Sequence, residues 1–134
     1  KGFKDLANSN IKVLVTHGAG QVGMWEDIAG RTGTIQLTKD FRKNIALYAQ
    51  NTGLAKKAWE EDKSYDAWLV FNIWGVNNPN IGQIVPIERD LVIYRDMCVA
   101  LTERGEKNSE TQKFIDFLKS SEGLVIFKKF GWSK

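Results

Sequence analysis

The groups best suited to hold a ligand are gathered in Thr16-His17-Gly18-Ala19-Gly20-Gln21. Gly18 and Gly20 let the backbone approach a bound molecule, Gln21 offers an amide and Thr16 a hydroxyl. Two further clusters carry the same kind of chemistry, Gln50-Asn51-Thr52 and Asn72-Ile73-Trp74. All three are rich in small, hydroxyl or amide side chains and hold no fixed charge. Such loops suit a small anionic or polar ligand neutralised by backbone N–H dipoles. The candidate ligand-binding residues are therefore Gly18, Ala19, Gly20, Gln21, Asn51, Thr52, Asn72 and Trp74. The two glycines suit a plain tight turn equally well, because Gly18-Ala19-Gly20 has neither G-x-G-x-x-G spacing nor a Walker lysine. No nucleotide or other cofactor is implied.

Catalytic residues are scarce. His17 is the only imidazole, and no serine sits in a G-x-S-x-G elbow. Glu26 and Asp27 are adjacent, so on a helix they point about 100° apart and read as first-turn partners of the helix dipole. With one His and one Cys, a zinc site is not expected. The residues point to binding without chemical conversion, with no catalytic residue and no metal.

The elements that must position these loops follow from the apolar pattern. Ile11 to Val15 reads as a buried strand feeding the glycine turn, and Val22, Trp25, Ile28 and Ala29 recur at helical spacing from Gln21 until Gly30 and Gly33. A second helix over Thr34 to Asn44 runs into a strand over Ile45 to Ala49. Asn51 and Thr52 are N-cap candidates for a helix that carries Leu54, Ala55, Ala58 and Trp59 and closes at the solvated run Glu60-Glu61-Asp62. Further strands are expected at Asp66 to Phe71, at Ile84 to Ile87 as an edge containing Pro86, and at Met97 to Thr102. Two helices end the chain, one from Ser109 or Thr111 and one from Ser120 to Gly131. Strand-loop-helix units in series imply an α/β fold, a parallel sheet with right-handed crossovers flanked by helices. In such a sheet the loops at the carboxyl ends of the strands converge on one crevice. Trp25 is expected in the core, while Trp74 suits the crevice and the core equally.

Composition narrows the partners. The chain has 134 residues, 43% of them apolar, enough for one compact core. The net charge of +3 is spread among interspersed acids and bases, and the pairs Lys56-Lys57 and Lys128-Lys129 are too short for a nucleic-acid stripe. No nucleic-acid partner is expected. Cys98 lies in an apolar run and is expected to be buried. No run approaches the ~20 apolar residues of a membrane span. The start Lys1-Gly2-Phe3 carries no signal-peptide core and reads as a processed or cut chain.

Several motifs in fixed order carry a resemblance. Ile11 to Val15 with Gly18-Ala19-Gly20-Gln21 and Trp25-Glu26-Asp27 is followed by Phe41-Arg42-Lys43-Asn44, Ala58-Trp59, Asp66-Ala67-Trp68-Leu69, Asn72-Ile73-Trp74 and Tyr94-Arg95-Asp96. The tail adds Phe114 to Leu118, Ser120-Ser121-Glu122-Gly123 and Phe130-Gly131-Trp132. Together these resemble the accessory colonisation factor C family, which looks like a branch of the periplasmic solute-binding proteins related to the molybdate- and sulfate-binding components of ABC transporters. The resemblance implies a periplasmic, type II binding-protein fold with ligand between two lobes and delivery to an inner-membrane permease. It places residues 1–90 in lobe two, with 1–10 leading in. It makes 91–134 the hinge and the closing strand-helix-helix part of lobe one, and leaves the first part of lobe one outside this chain. Tyr94 and Arg95 become hinge residues; Arg95 either reaches the ligand or pairs with Asp96 or another nearby acid. Sulfate, molybdate or a small carboxylate is the implied ligand, and a colonisation or adhesion role with a vestigial site is the alternative. Without the rest of lobe one, Phe114, Phe117, Leu124 and Phe127 would stand partly uncovered, an invitation to self-association.

Overall fold

Strand β1, Val13–Thr16, is buried at all four positions because it lies in the middle of a three-stranded parallel sheet. The computed structural model describes residues 2–18 and 20–133. Strand β2, Ile45–Ala49, pairs on one side of β1 (Val13 with Ile45, Thr16 with Ala49), and β3, Ala67–Leu69, pairs on the other (Val13 with Ala67, Val15 with Leu69). A central parallel strand is covered on both faces and reads as a continuous apolar run. Val13 and Val15 face α1, Met24–Arg31, and α2, Ile35–Asn44, through Trp25, Ile28 and Phe41. Leu14 faces the opposite way, toward Ala49 and Ala55 of α3, Thr52–Glu61, with Trp59, Tyr65 and Trp68 packed around it. The α/β reading, the parallel sheet and the core position of Trp25, 3% exposed, are thus observed.

Beyond β3 come further α-helices joined by irregular chain: α4, Asn72–Asn77; α5, Glu103–Glu106; α6, Ser109–Lys119; and α7, Ser121–Lys129. The last two form where expected, each opened by a side-chain cap: Asn108 accepts from Glu110 N–H and Ser120 from Gly123 N–H. Among the described residues no helix is long and apolar enough to cross a membrane.

Two expected strands do not form. Ile84 to Ile87 is irregular, with Ile84 and Val85 half exposed, and Pro86 has no N–H to give to a ladder. Met97 to Thr102 is also without strand pairing, and Met97 and Val99 are about half exposed. Alternation makes a strand only when a neighbouring strand takes up its N–H and C=O groups, and none of the described residues does so here. Cys98, expected in a core, is exposed for the same reason. The third loop also differs, since Asn72-Ile73-Trp74 is the first turn of α4. The helix expected from Gln21 begins only at Met24, which leaves Val22 outside it and 58% exposed.

The segment before the sheet is fastened to the one after it. A 3-10 turn at Lys4–Ala7 presents backbone N–H groups to Glu88, whose carboxylate accepts from Phe3 at 2.8 Å and Lys4 at 3.3 Å. Burial raises the Glu88 carboxyl pKa, but the backbone N–H groups of Glu88 itself, Phe3 and Lys4 outweigh it and hold the group below its ordinary value. A carboxyl lowered in the folded state contributes stability that is complete above the unfolded pKa and is lost as the pH falls through the folded one. Glu88→Gln is therefore expected to cost about 1 kcal/mol of unfolding free energy at pH 7, with the gap to wild type closing as the pH falls below about 4. Urea unfolding at pH 7 and pH 3 checks this; an equal gap at both would show that the charge is not what holds the turn.

Candidate functional site

Three strand ends lie side by side in the order β2, β1, β3, so the segments after Ala49, Thr16 and Leu69 leave the same edge of the sheet. At the centre, the His17 N–H donates to Ala49 O at 2.7 Å, extending the ladder one residue past β1. Gly18 follows with so little room that a Cβ there would lie 2.1 Å from the Gln50 carbonyl oxygen. Only glycine fits that approach of one chain to the other. A turn then closes with Gln21 N–H to Gly18 O at 2.9 Å and a second with Met24 N–H to Gln21 O at 3.1 Å, before Gly23, at φ 73°, starts α1. Ala19 lies outside the described residues.

Gln21 turns inward from this loop. It is 2% exposed, and its Nε2 donates to Thr52 Oγ1 at 2.9 Å, which ties the loop after β1 to the first residue of α3. Its partner Thr52 and Thr16, the last residue of β1, are buried too, at 6% and 3% exposure. The Thr16 hydroxyl and Gln21 Oε1 have no protein partner although both are buried. Leaving such a group unmatched costs about 1–3 kcal/mol; Trp25 Nε1, Glu26 Oε2 and Trp68 Nε1 are unmatched in the same way, and the Thr16 and Gln21 atoms differ from them in lying at the strand-end loop. Asn51 serves the neighbouring helix: its Oδ1 accepts from Leu54 N–H at 2.9 Å and caps α3.

The structure therefore brings Gly18, Gly20, Gln21, Asn51 and Thr52 to one corner of the sheet edge. Asn72 and Trp74 follow β3 and enter a different set of contacts. Asn72 Nδ2 donates to Gly131 O at 2.7 Å, and Asn77 Nδ2 donates to Phe130 O at 3.2 Å, so α4 holds the end of α7. Trp74 is half buried with its ring 5.9 Å from Trp68, which in turn lies 6.3 Å from Trp59. Of the two residues expected at a hinge, Tyr94 is 70% exposed and Arg95 forms an ion pair with Asp27 of α1, not with Asp96.

Around the corner, His17 meets Tyr48 edge to face at 6.2 Å. Partial burial raises the Tyr48 phenol pKa, Arg42 opposes that and Glu26 adds to it. The phenol stays protonated and can donate a hydrogen bond at neutral pH. Among the described residues no group of His, Cys, Asp or Glu is placed to hold a metal ion. Two features were not legible in the sequence: the Gln21 to Thr52 bond, and the choice of Asp27 as the partner of Arg95. Both depend on how separate segments meet, and neither leaves a local spacing signal.

Residues 1–133 match the family model for bacterial extracellular solute-binding proteins. The chain belongs to that family. The family is one of solute-binding proteins, so binding is the role the family brings. Two solved structures show how this solute-binding chain is built. It aligns with PEB3 bound to L-phospholactate at 40% identity and a TM-score of 0.86, covering 100% of this chain and 59% of that one. It aligns with Peb3 from Campylobacter jejuni at 39% identity and a TM-score of 0.81, covering 100% and 58%. The solute-binding chain thus spans less than two thirds of the length of these relatives. The match confirms the periplasmic binding protein-like architecture. No curated protein sequence matches this chain.

Proposed function

We propose that this chain supplies one wall of an interlobe site in a periplasmic uptake protein. On this reading residues 1–90 form lobe two, 91–134 form the hinge and the closing part of lobe one, and the ligand is passed to an inner-membrane permease. The ligand is a small anion, either an oxyanion of the sulfate or molybdate kind or a small carboxylate that carries phosphate. The observation that carries the reading is the buried Gln21 to Thr52 bond, with Gln21 Oε1 and the Thr16 hydroxyl left unmatched beside it. The Thr16 hydroxyl and the backbone N–H groups at the N-termini of α1 and α3 are neutral donors that suit an anion without adding a countercharge that would make release slow, while Gln21 Oε1 accepts from a hydroxyl or protonated oxygen of the ligand. That PEB3, a relative of 40% identity, holds L-phospholactate favours the phosphorylated carboxylate among these ligands.

Calorimetric titration of the full-length protein with L-phospholactate, lactate, sulfate and molybdate tests this. The expected result is saturable binding of at least one of the anions, phospholactate foremost, and Gln21→Leu weakening it about tenfold through loss of one buried hydrogen bond. No heat with any of the four would overturn the proposal.

A further inference from the structure

Two residues of α1, one turn apart on the same face, grip the segment that leaves the sheet domain. Arg31 in the last turn donates through Nη1 to Val92 O at 2.6 Å, and Asp27 in the first turn pairs with Arg95 Nη2. Positions 92 and 95 meet 31 and 27 in that order, so the segment runs antiparallel to α1 and ends beside the helix N-terminus. Ile93, between the two grips, packs against the buried core. Arg95 is thus the last residue of this run to be fastened, and it brings a positive charge to the end of α1 that faces the candidate site.

The position of Asp27 gives that charge a purpose. Asp27 is four residues past the cap Gly23, roughly 6 Å along the helix axis from it. That is shorter than the ~8 Å Debye length at physiological salt, so a bare carboxylate there would repel an anion bound at the loop. Glu26, the other carboxylate of that turn, points about 100° away around the helix, where its charge reaches Tyr48 and its Oε2 is buried without a partner, so it is a background charge felt whether or not Arg95 is in place. We propose that the Arg95–Asp27 ion pair masks the Asp27 carboxylate from the bound anion, so that anion affinity depends on the hinge segment lying fastened along α1. The inference rests on the anion-binding reading above and adds to it a link between hinge and site. Arg95 is a positioning residue here, acting through Asp27 and not by touching the ligand. When the segment lifts, Arg95 leaves, Asp27 is uncovered and the anion is pushed out. An opening hinge therefore helps to eject its own cargo.

The test uses the full-length protein and L-phospholactate in calorimetric titrations at low and at 1 M salt. Arg95→Gln is expected to weaken binding about two- to fivefold at low salt, the size of one unit charge at that distance in largely aqueous surroundings. Arg95→Lys should restore most of the loss. Asp27→Asn alone should bind at least as tightly as wild type, and Arg95→Gln combined with Asp27→Asn should return to it. At 1 M salt, where screening acts within about 3 Å, the four variants should converge. A merely mechanical clasp predicts the reverse for Asp27→Asn, which would then weaken binding as much as Arg95→Gln does. That result, or an Arg95→Gln variant equal to wild type, overturns the inference and leaves the anion-binding reading standing. Absence of phospholactate binding by wild type overturns the inference for this ligand, and extends to the reading itself only if lactate, sulfate and molybdate also give no heat.

Discussion

Gly18→Ala is expected to abolish anion binding by the full-length protein and to lower its unfolding free energy by about 2 kcal/mol. The added methyl carbon would lie 2.1 Å from the Gln50 carbonyl oxygen and 3.2 Å from its carbon, and both are backbone atoms. No rotamer relieves such a contact. The two strand ends must part, and with them goes the 2.7 Å bond from His17 N–H to Ala49 O. Gln21 and Thr52 lie on opposite sides of that junction, so their 2.9 Å bond is lost in the same movement. Gly30→Ala is the control. It lies on the exposed side of α1 with nothing within 4 Å of the new carbon, and there alanine should stabilise by up to about 1 kcal/mol. Titration with L-phospholactate and urea unfolding of both variants read the two effects. A Gly18→Ala protein that binds like wild type would show that the strand junction does not shape the site.

Phe41→Ala is expected to cost about 3–5 kcal/mol, the largest single effect on stability. Phe41 is fully buried and stacks at 4.7 Å on Phe3 and at 5.4 Å on Trp25. One ring thereby joins the 3-10 turn, α1 and α2, and Arg42 lies 5.3 Å from the Trp25 ring beside it. Removing the ring opens a cavity shared by three elements that have few other ways to close it. Phe114→Ala, at a site 57% exposed, should change stability by less than about 0.5 kcal/mol. Urea midpoints of the two variants decide the matter, and similar midpoints would mean that the stacked rings are not the core that holds the sheet's outer face.

The contrast between these two phenylalanines shows which parts of the fold could be read in advance. Ile45–Ala49 and Thr52–Glu61 form with almost the expected limits, because a short apolar run ahead of an Asn-Thr cap is a local signal. Val13, Leu14 and Val15 were legible as a strand buried on both faces for the same reason. At Met97 to Thr102 the local pattern is equally strong, yet pairing needs a partner that local pattern cannot supply, and Met97 and Val99 stay half exposed. Of the four residues expected to stand partly uncovered, Phe114 and Phe117 are 57% and 37% exposed, whereas Leu124 and Phe127 are half buried. Met97, Val99 and Leu101 line an open groove with Ile115, Leu118 and Phe127 on α6 and α7.

The candidate site was legible to a similar depth. Glycine, amide and hydroxyl residues after a strand marked Gly18, Gln21 and Thr52, and the structure places them together. Asn72 was marked by the same chemistry, but its amide is engaged with Gly131 O, fifty-nine positions along the chain. A polar side chain announces that it needs a partner without saying which. Asn51 shows the point on a smaller scale, since the residue type that can hold a ligand is also the best helix cap.

The strand order carries a further consequence, for how the chain reaches this state. The first strand made is the middle one, and its partners Ile45 and Ala67 come much later in the sequence. Every pair is parallel, so no hairpin can form early, and each pairing waits for a long loop to close before any contact repays it. The sheet is expected to assemble in chain order, β2 docking on β1 once α2 has formed and β3 closing the other side. Until then Val13, Leu14 and Val15 form an unpaired apolar stretch. Refolding yield, more than final stability, is then the property that should fall as protein concentration rises.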